Sequence, residues 1–165
     1  MSPRLKMVGN IVVFQLCWLA CVLGGNLWAL LALVGLLAWH YWLLKPGEWQ
    51  LLALFSAIGI GVDTIFMHLG WLQFDGDGLL VPVWLMVLWL AFASTLRHSL
   101  AWLMQRTHWA VLLGFLGAPW SYFAGMKLGA VDITLTGFVA LALFWALLML
   151  AASWQEKKQC ASLVG

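Results

Sequence analysis

Of 165 residues, 65% are hydrophobic and 8% charged, and the mean hydropathy is +0.99, more apolar side chain than a soluble domain of this size could conceal. Lipid is therefore part of the solvent. A formal charge of +2, from eight basic and six acidic residues spread along the chain, leaves no footprint for nucleic acid.

At about 20 residues per crossing, the apolar runs divide into six predicted transmembrane helices over 10–23, 27–44, 49–72, 79–104, 108–129 and 133–154. The fold class expected is all-α, a polytopic membrane protein: a bundle of six transmembrane helices with short loops, filling 1–165 as a single integral membrane domain. The first run follows Arg4 and Lys6 and reads as a retained span rather than a cleaved leader, since no A-x-A site follows it. Cys17 and Cys21 lie within it and Cys160 lies in the tail, a pattern of three free thiols rather than of an extracellular disulfide framework.

Gly24-Gly25-Asn26 separates the first two runs, Lys45-Pro46-Gly47-Glu48 the next two, and Asp75-Gly76-Asp77-Gly78 and Gln105-Arg106-Thr107 the later ones. The acidic turn lacks the later glutamate of a calcium loop and reads as a plain turn. A β-barrel needs strict alternation, whereas the run from Leu30 to Leu37 is apolar throughout. With six spans, Arg4, Lys6, Lys45, Arg106, Lys157 and Lys158 fall on one side and Lys127 on the other, which predicts both termini in the cytoplasm.

Few residues remain to carry chemistry. Asp63 lies near the middle of the third predicted helix, and a carboxyl there needs a partner or a proton. Ser56, Gly59, Asp63, Phe66 and Gly70 follow helical spacing, so the acid shares a face with small residues and should point into the bundle, as a proton acceptor, a polar anchor or packing glue. In the fourth helix Ser94 and His98 are four apart on one face, the minimum of a nucleophile and base pair that Asp63 could complete; alternatively the hydroxyls of Ser94 and Thr95 bond back to the backbone and Arg97 snorkels to the phosphates. Asp63, Ser94 and His98 are the tentative catalytic set.

The fifth helix carries Gly114, Ala118, Ser121, Gly125 and Gly129 along one face, a small-residue stripe that predicts a close-packed central helix. Pro119 frees a carbonyl one turn earlier, with Tyr122 close by, so Thr95, Pro119, Ser121 and Tyr122 are the candidate cavity or ligand-binding residues. Lys127 could pair with Asp132 or with the acidic turn. His40, His98 and His108 fall on the predicted cytoplasmic side and could approach one another, yet their spacing makes no ready-made site; no metal and no cofactor are expected.

The middle of the chain resembles a bacterial family of small inner-membrane proteins known only as a domain of unknown function, DUF2878. The residues that carry the resemblance are Asp63, the run Pro82-Val83-Trp84-Leu85 leading to Leu88-Trp89-Leu90-Ala91-Phe92-Ala93-Ser94-Thr95-Leu96 and Ser99-Leu100, and Gly117-Ala118-Pro119-Trp120-Ser121-Tyr122-Phe123-Ala124-Gly125 with Leu128-Gly129-Ala130. The resemblance implies a multi-pass inner-membrane protein with no assigned reaction and, through an association of such relatives with fatty-acyl modification, a lipid-related role. The expectation is a protein that binds or modifies a lipid or fatty-acyl chain, or assists enzymes that do. Its partners would be membrane lipids, with a membrane enzyme or a second copy of the chain as further candidates. The competing classes are a small-solute or ion transporter and a noncatalytic membrane scaffold. An acyl-shaped cavity open sideways to lipid would separate the first class from these.

Overall fold

The computed structural model describes residues 2–76 and 78–162, without the side chains of 159–162, so Asp77 of the acidic turn and the Cys160 thiol lie outside the described residues. Helix α1 (Pro3–Leu43) starts at Ser2, whose hydroxyl accepts from the Leu5 amide at 3.3 Å, with Pro3 in the first turn. At Gly25, φ 61° and ψ −152° define a conformation essentially restricted to glycine. A Cβ on Gly9 would lie 2.5 Å from the Trp39 ring, so residues 3–24 and 26–43 run back alongside each other as two helices. These halves correspond to the first two predicted helices.

Helix α2 (Glu48–His68) ends at Gly70, with φ 71°. There Trp71 N–H donates to Phe66 O and Gly70 N–H to Met67 O, both at 2.9 Å, a Schellman stop that ends the helix before the predicted residue 72. Strand β1 (Leu72–Gln73) follows. The long fourth predicted helix, 79–104, is in fact α3 (Val83–Ala93), a run of turns over 94–100, and α4 (Ala101–Met104). Asn26 at the α1 break accepts the Trp84 amide at 3.0 Å and so caps α3.

The break after Ala93 has identifiable causes. Ser94 and Thr95 donate their hydroxyls to Ala91 O and Phe92 O at 2.7 and 2.6 Å, competing with helical continuation. Asn10, buried in α1, accepts both the amide and the hydroxyl of Ser99 at 3.2 and 2.6 Å. A side chain 89 positions away thus clamps the turn.

Helix α5 (Thr107–Lys127) ends in a second Schellman stop at Gly129, strand β2 (Asp132–Ile133) pairs antiparallel with β1 (Leu72 opposite Ile133, Gln73 opposite Asp132), and α6 (Leu135–Ser162) closes the chain. This ladder is the only sheet among the described residues. The chain is thus a helical membrane protein. Four helices, Pro3–Leu43, Glu48–His68, Thr107–Lys127 and Leu135–Lys158, are long and apolar enough to cross a bilayer.

The centre is α3, not the glycine-striped α5. Trp84, Leu85, Val87, Trp89, Ala91 and Ala93 of α3 are all buried, between α1, α2 and α6, whereas α5 buries only Ala110, Gly114 and Gly125 and packs on α6. The stripe does different work along its length. A Cβ on Gly114 would lie 2.7 Å from Trp145 O, so glycine here lets α6 approach; at Gly125 the nearest atom would be 3.8 Å away, and at Gly117 none lies within 4 Å.

Gly25, Gly70 and Gly129 each fall twenty-two positions after the first residue of a helix, Pro3, Glu48 and Thr107. These three helices start at one end of the bundle and stop at the other, so residues of equal rank sit at equal depth. Rank sixteen is Trp18, Asp63 and Tyr122. At 1.5 Å per residue that layer is about 22 Å from the start of each helix. Asp63 therefore lies past the middle of α2, five residues before His68, rather than at its midpoint.

Candidate functional site

The shared layer explains a contact between helices that are distant in sequence. Tyr122 Oη donates to Asp63 Oδ2 at 2.5 Å, and Trp89 Nε1–H donates to the same oxygen at 2.7 Å. Asp63 is completely buried, and its other carboxyl oxygen, Oδ1, has no partner. Gly59, one turn before Asp63 on the same face of α2, lies under the Trp89 indole: a Cβ there would be 2.1 Å from the ring. Glycine at 59 is what lets Trp89 come close enough to reach the acid. The Trp89 indole in turn stacks on Trp145 of α6, centroids 4.8 Å apart and planes 13° from parallel.

Above this layer, toward the helix starts, a cavity of about 490 Å³ opens among the first half of α1, α3, the 94–100 turns, α4, α5 and α6. Its wall is aliphatic and aromatic apart from glycine and the hydroxyl residues Thr95, Ser99, Ser121 and Tyr122. Trp18 and Tyr122 stand at its deep end, Ile11 and Leu113 nearer the helix starts, and the two pairs are seven and nine residues apart along α1 and α5. That makes an elongated slot of roughly 10–14 Å. Ile11, Trp102 and Leu113 are also exposed on the outer surface, so the slot reaches the flank of the bundle.

Three of the four wall hydroxyls spend their protons inside the protein: Thr95 on Phe92 O, Ser99 on Asn10 and Tyr122 on Asp63. Ser121 accepts the Trp18 indole N–H at 2.9 Å, which ties α1 to α5 at that end. With three of the four hydroxyl protons committed, the Ser121 hydroxyl and the Trp145 indole N–H remain as isolated donors in a largely apolar wall, which offers little to a sugar or a hydrated ion and suits an apolar chain.

Among the sequence candidates, Thr95, Ser121 and Tyr122 line the slot. Asp63 does not; it stands behind the wall and holds Trp89 and Tyr122 in place. Pro119 is absent from the lining, where its neighbour Ala118 takes part. Asp63, Ser94 and His98 do not converge: Ser94 bonds the backbone, and His98 faces Glu48 at the opposite end from the Asp63 layer. The helix that would have aligned Ser94 with His98 ends at Ala93, so the expected nucleophile and base pair does not form.

The bundle end where α2 and α5 begin is a second polar region. Arg97 is buried rather than snorkelled, with Nε 2.8 Å from Glu156 and Nη1 donating to Pro46 O at 3.0 Å. Lys45 Nζ donates to Arg97 O at 2.6 Å, and Lys157 to Thr107 at 2.7 Å. Of the histidines, His40 and His98 meet edge to face, 5.6 Å between centroids, while His108 lies apart beside Trp109 and His68 bonds Leu79 O at the far end. Lys127 sits 5.3 Å from the Phe123 ring centroid. Glu48 was not among the sequence candidates, because it reads there as part of a turn. A lone acid eight residues after a histidine, on the predicted basic side, was the available signal.

No curated protein and no solved structure matches the chain. A family model, described as Protein of unknown function (DUF2878), matches residues 7–151. That match takes in the starts of α2 to α6, the Asp63 layer and the slot, and the chain belongs to this family.

Proposed function

We propose that the protein binds the acyl chain of a membrane lipid or fatty acid in the slot between α1 and α5. The observation that carries the reading is the slot itself: about 490 Å³, elongated, apolar, and bordered on the bundle's flank by Ile11, Trp102 and Leu113. Its volume is within the range of small-molecule sites, and an opening on the side of a membrane protein faces lipid rather than water. Thr95 and Ser99 lie on the side of the slot near the basic residues Lys45 and Arg106, whose charge suits an anionic head, so the head would sit toward that end and the chain end would rest against Trp18, Trp89 and Tyr122. Asp63 is a positioning residue in this reading, fixing two walls of the deep end.

In the same reading the two halves of α1, α2, the α3–α4 segment, α5 and α6 make six crossings of a bacterial inner membrane. The end bearing Lys45, Arg97, Arg106 and Lys157 faces the cytoplasm together with both termini, by the preference of basic residues for that side. Photo-crosslinking tests the binding claim: a fatty acid with a photoreactive group near its methyl end should label peptides from α1 and α5 around Trp18 and Ser121, and an excess of unmodified fatty acid should suppress the labelling. Labelling spread evenly over the exposed helix faces, insensitive to competitor, would overturn it.

A further inference from the structure

We propose that His40, Glu48 and His98 form a binding site for zinc or a similar first-row divalent metal at the Lys45 end of the bundle. Three separate elements deliver the ligands: His40 from the last turn of α1, Glu48 from the first turn of α2 and His98 from the turns between α3 and α4. One ligand atom from each lies within 4.8 Å of the others. Glu48 Oε1 and His98 Nε2 face each other at 2.7 Å without hydrogen-bond alignment. A metal with bonds of about 2.0–2.1 Å in tetrahedral geometry needs its ligands roughly 3.3 Å apart, so this pair opens slightly and His40 moves in.

The second observation is His40 itself. It is 1% exposed, and neither ring nitrogen has a partner. A neutral imidazole carries one N–H and one lone pair, and leaving both buried and unpaired is costly; a metal takes the lone pair. The surroundings are prepared for a cation as well. Glu48 Oε2 is fixed by the Lys45 amide at 2.7 Å, which leaves Oε1 turned toward the histidines, and the Arg97 charge is already neutralised by Glu156.

Two imidazoles and one carboxylate favour zinc and its transition-metal neighbours over magnesium or calcium, and three protein ligands leave a fourth place for water. None of the three residues lines the acyl slot, but His98 lies between Thr95 and Ser99, which do. Metal would pin the turn that shapes one wall of the slot. The inference does not depend on what the slot binds.

The test uses the full chain purified in detergent, stripped with chelator and reloaded with zinc. Close to one zinc per chain is expected, with affinity lowered on the order of a hundredfold or more in His40→Gln, Glu48→Gln and His98→Gln and unchanged in His68→Gln and His108→Gln. Cobalt loading gives a readout that does not need a ligand-deletion variant to fold: wild-type protein should show the visible bands of tetrahedral cobalt. His98→Cys, which keeps a metal ligand at that position, should add a thiolate charge-transfer band that wild-type protein lacks. No zinc above the chelator-treated blank, zinc retained in all three glutamine variants, or cobalt bound by His98→Cys without that band would each overturn the proposal.

Discussion

Tyr122 and Asp63 hold the same rank in two parallel helices, and the 2.5 Å hydrogen bond between them joins α5 to α2. With the Trp89 indole on the same oxygen, one carboxyl group ties three helices together deep in the bundle. Replacing Asp63 by leucine leaves two buried donors without an acceptor, a loss of about 2–6 kcal/mol, which should lower the melting temperature of the purified protein by roughly 4–20 °C. Asp63→Asn keeps an oxygen for both donors and should lose less than half as much. Equal losses in the two variants would show that the hydrogen bonds do not hold this layer.

Gly59 and Gly61 are two positions apart on α2 and should respond oppositely to alanine. A methyl at 59 meets the Trp89 ring at 2.1 Å, so the ring must lift and abandon Asp63, for a loss of about 1–3 kcal/mol. A methyl at 61 meets nothing within 4 Å and should stabilise by about 0.4–1 kcal/mol through helix propensity. Thermal melts of the two variants read the difference directly.

Much of this architecture was legible in the sequence where the cause is local. Gly24-Gly25-Asn26 announces a break because few other residues adopt the Gly25 geometry, and the spacing of Gly59 and Asp63 places them on one inward face. What was not legible depends on residues distant in the chain. The turns after Ala93 interrupt a run that is largely apolar, and Asn10 from the first helix completes them. The same break turns His98 away from Ser94 and toward His40 and Glu48. The stripe on α5 suggested a central helix because small residues permit close approach, but they do not say how many neighbours will use it, and α6 is the helix that packs most extensively along α5.

That distinction can be tested within the stripe. Gly114→Val forces side-chain atoms into Met149 and the Trp145 carbonyl of α6, and should cost at least about 2 kcal/mol because backbone has to move. Gly125→Ala places its methyl at ordinary contact distance from Val131 and should stay within about 0.5 kcal/mol of the parent. Denaturation in detergent ranking Gly125→Ala as the more damaging would contradict the assigned packing of α5 on α6.

For topology, single cysteines are introduced at Leu79 and Gln105, both exposed and at opposite ends, in a background with Cys160 replaced by serine and with Cys17 and Cys21 buried. A membrane-impermeant maleimide applied to intact cells should label Leu79→Cys and spare Gln105→Cys until the cells are opened. The reverse pattern would place the basic end outside.

Occupation of the slot by an acyl chain is tested most directly at Gly117. Gly117 lines the slot, and no atom lies within 4 Å of where its Cβ would stand, so a side chain can start there without an immediate clash, and the indole of Gly117→Trp is expected to take up part of the slot. Native mass spectrometry of protein extracted in mild detergent measures the bound lipid. The wild-type chain should carry one acyl lipid, and Gly117→Trp should retain at least tenfold less while melting within a few degrees of the parent; equal lipid retention by a normally folded Gly117→Trp would contradict the claim.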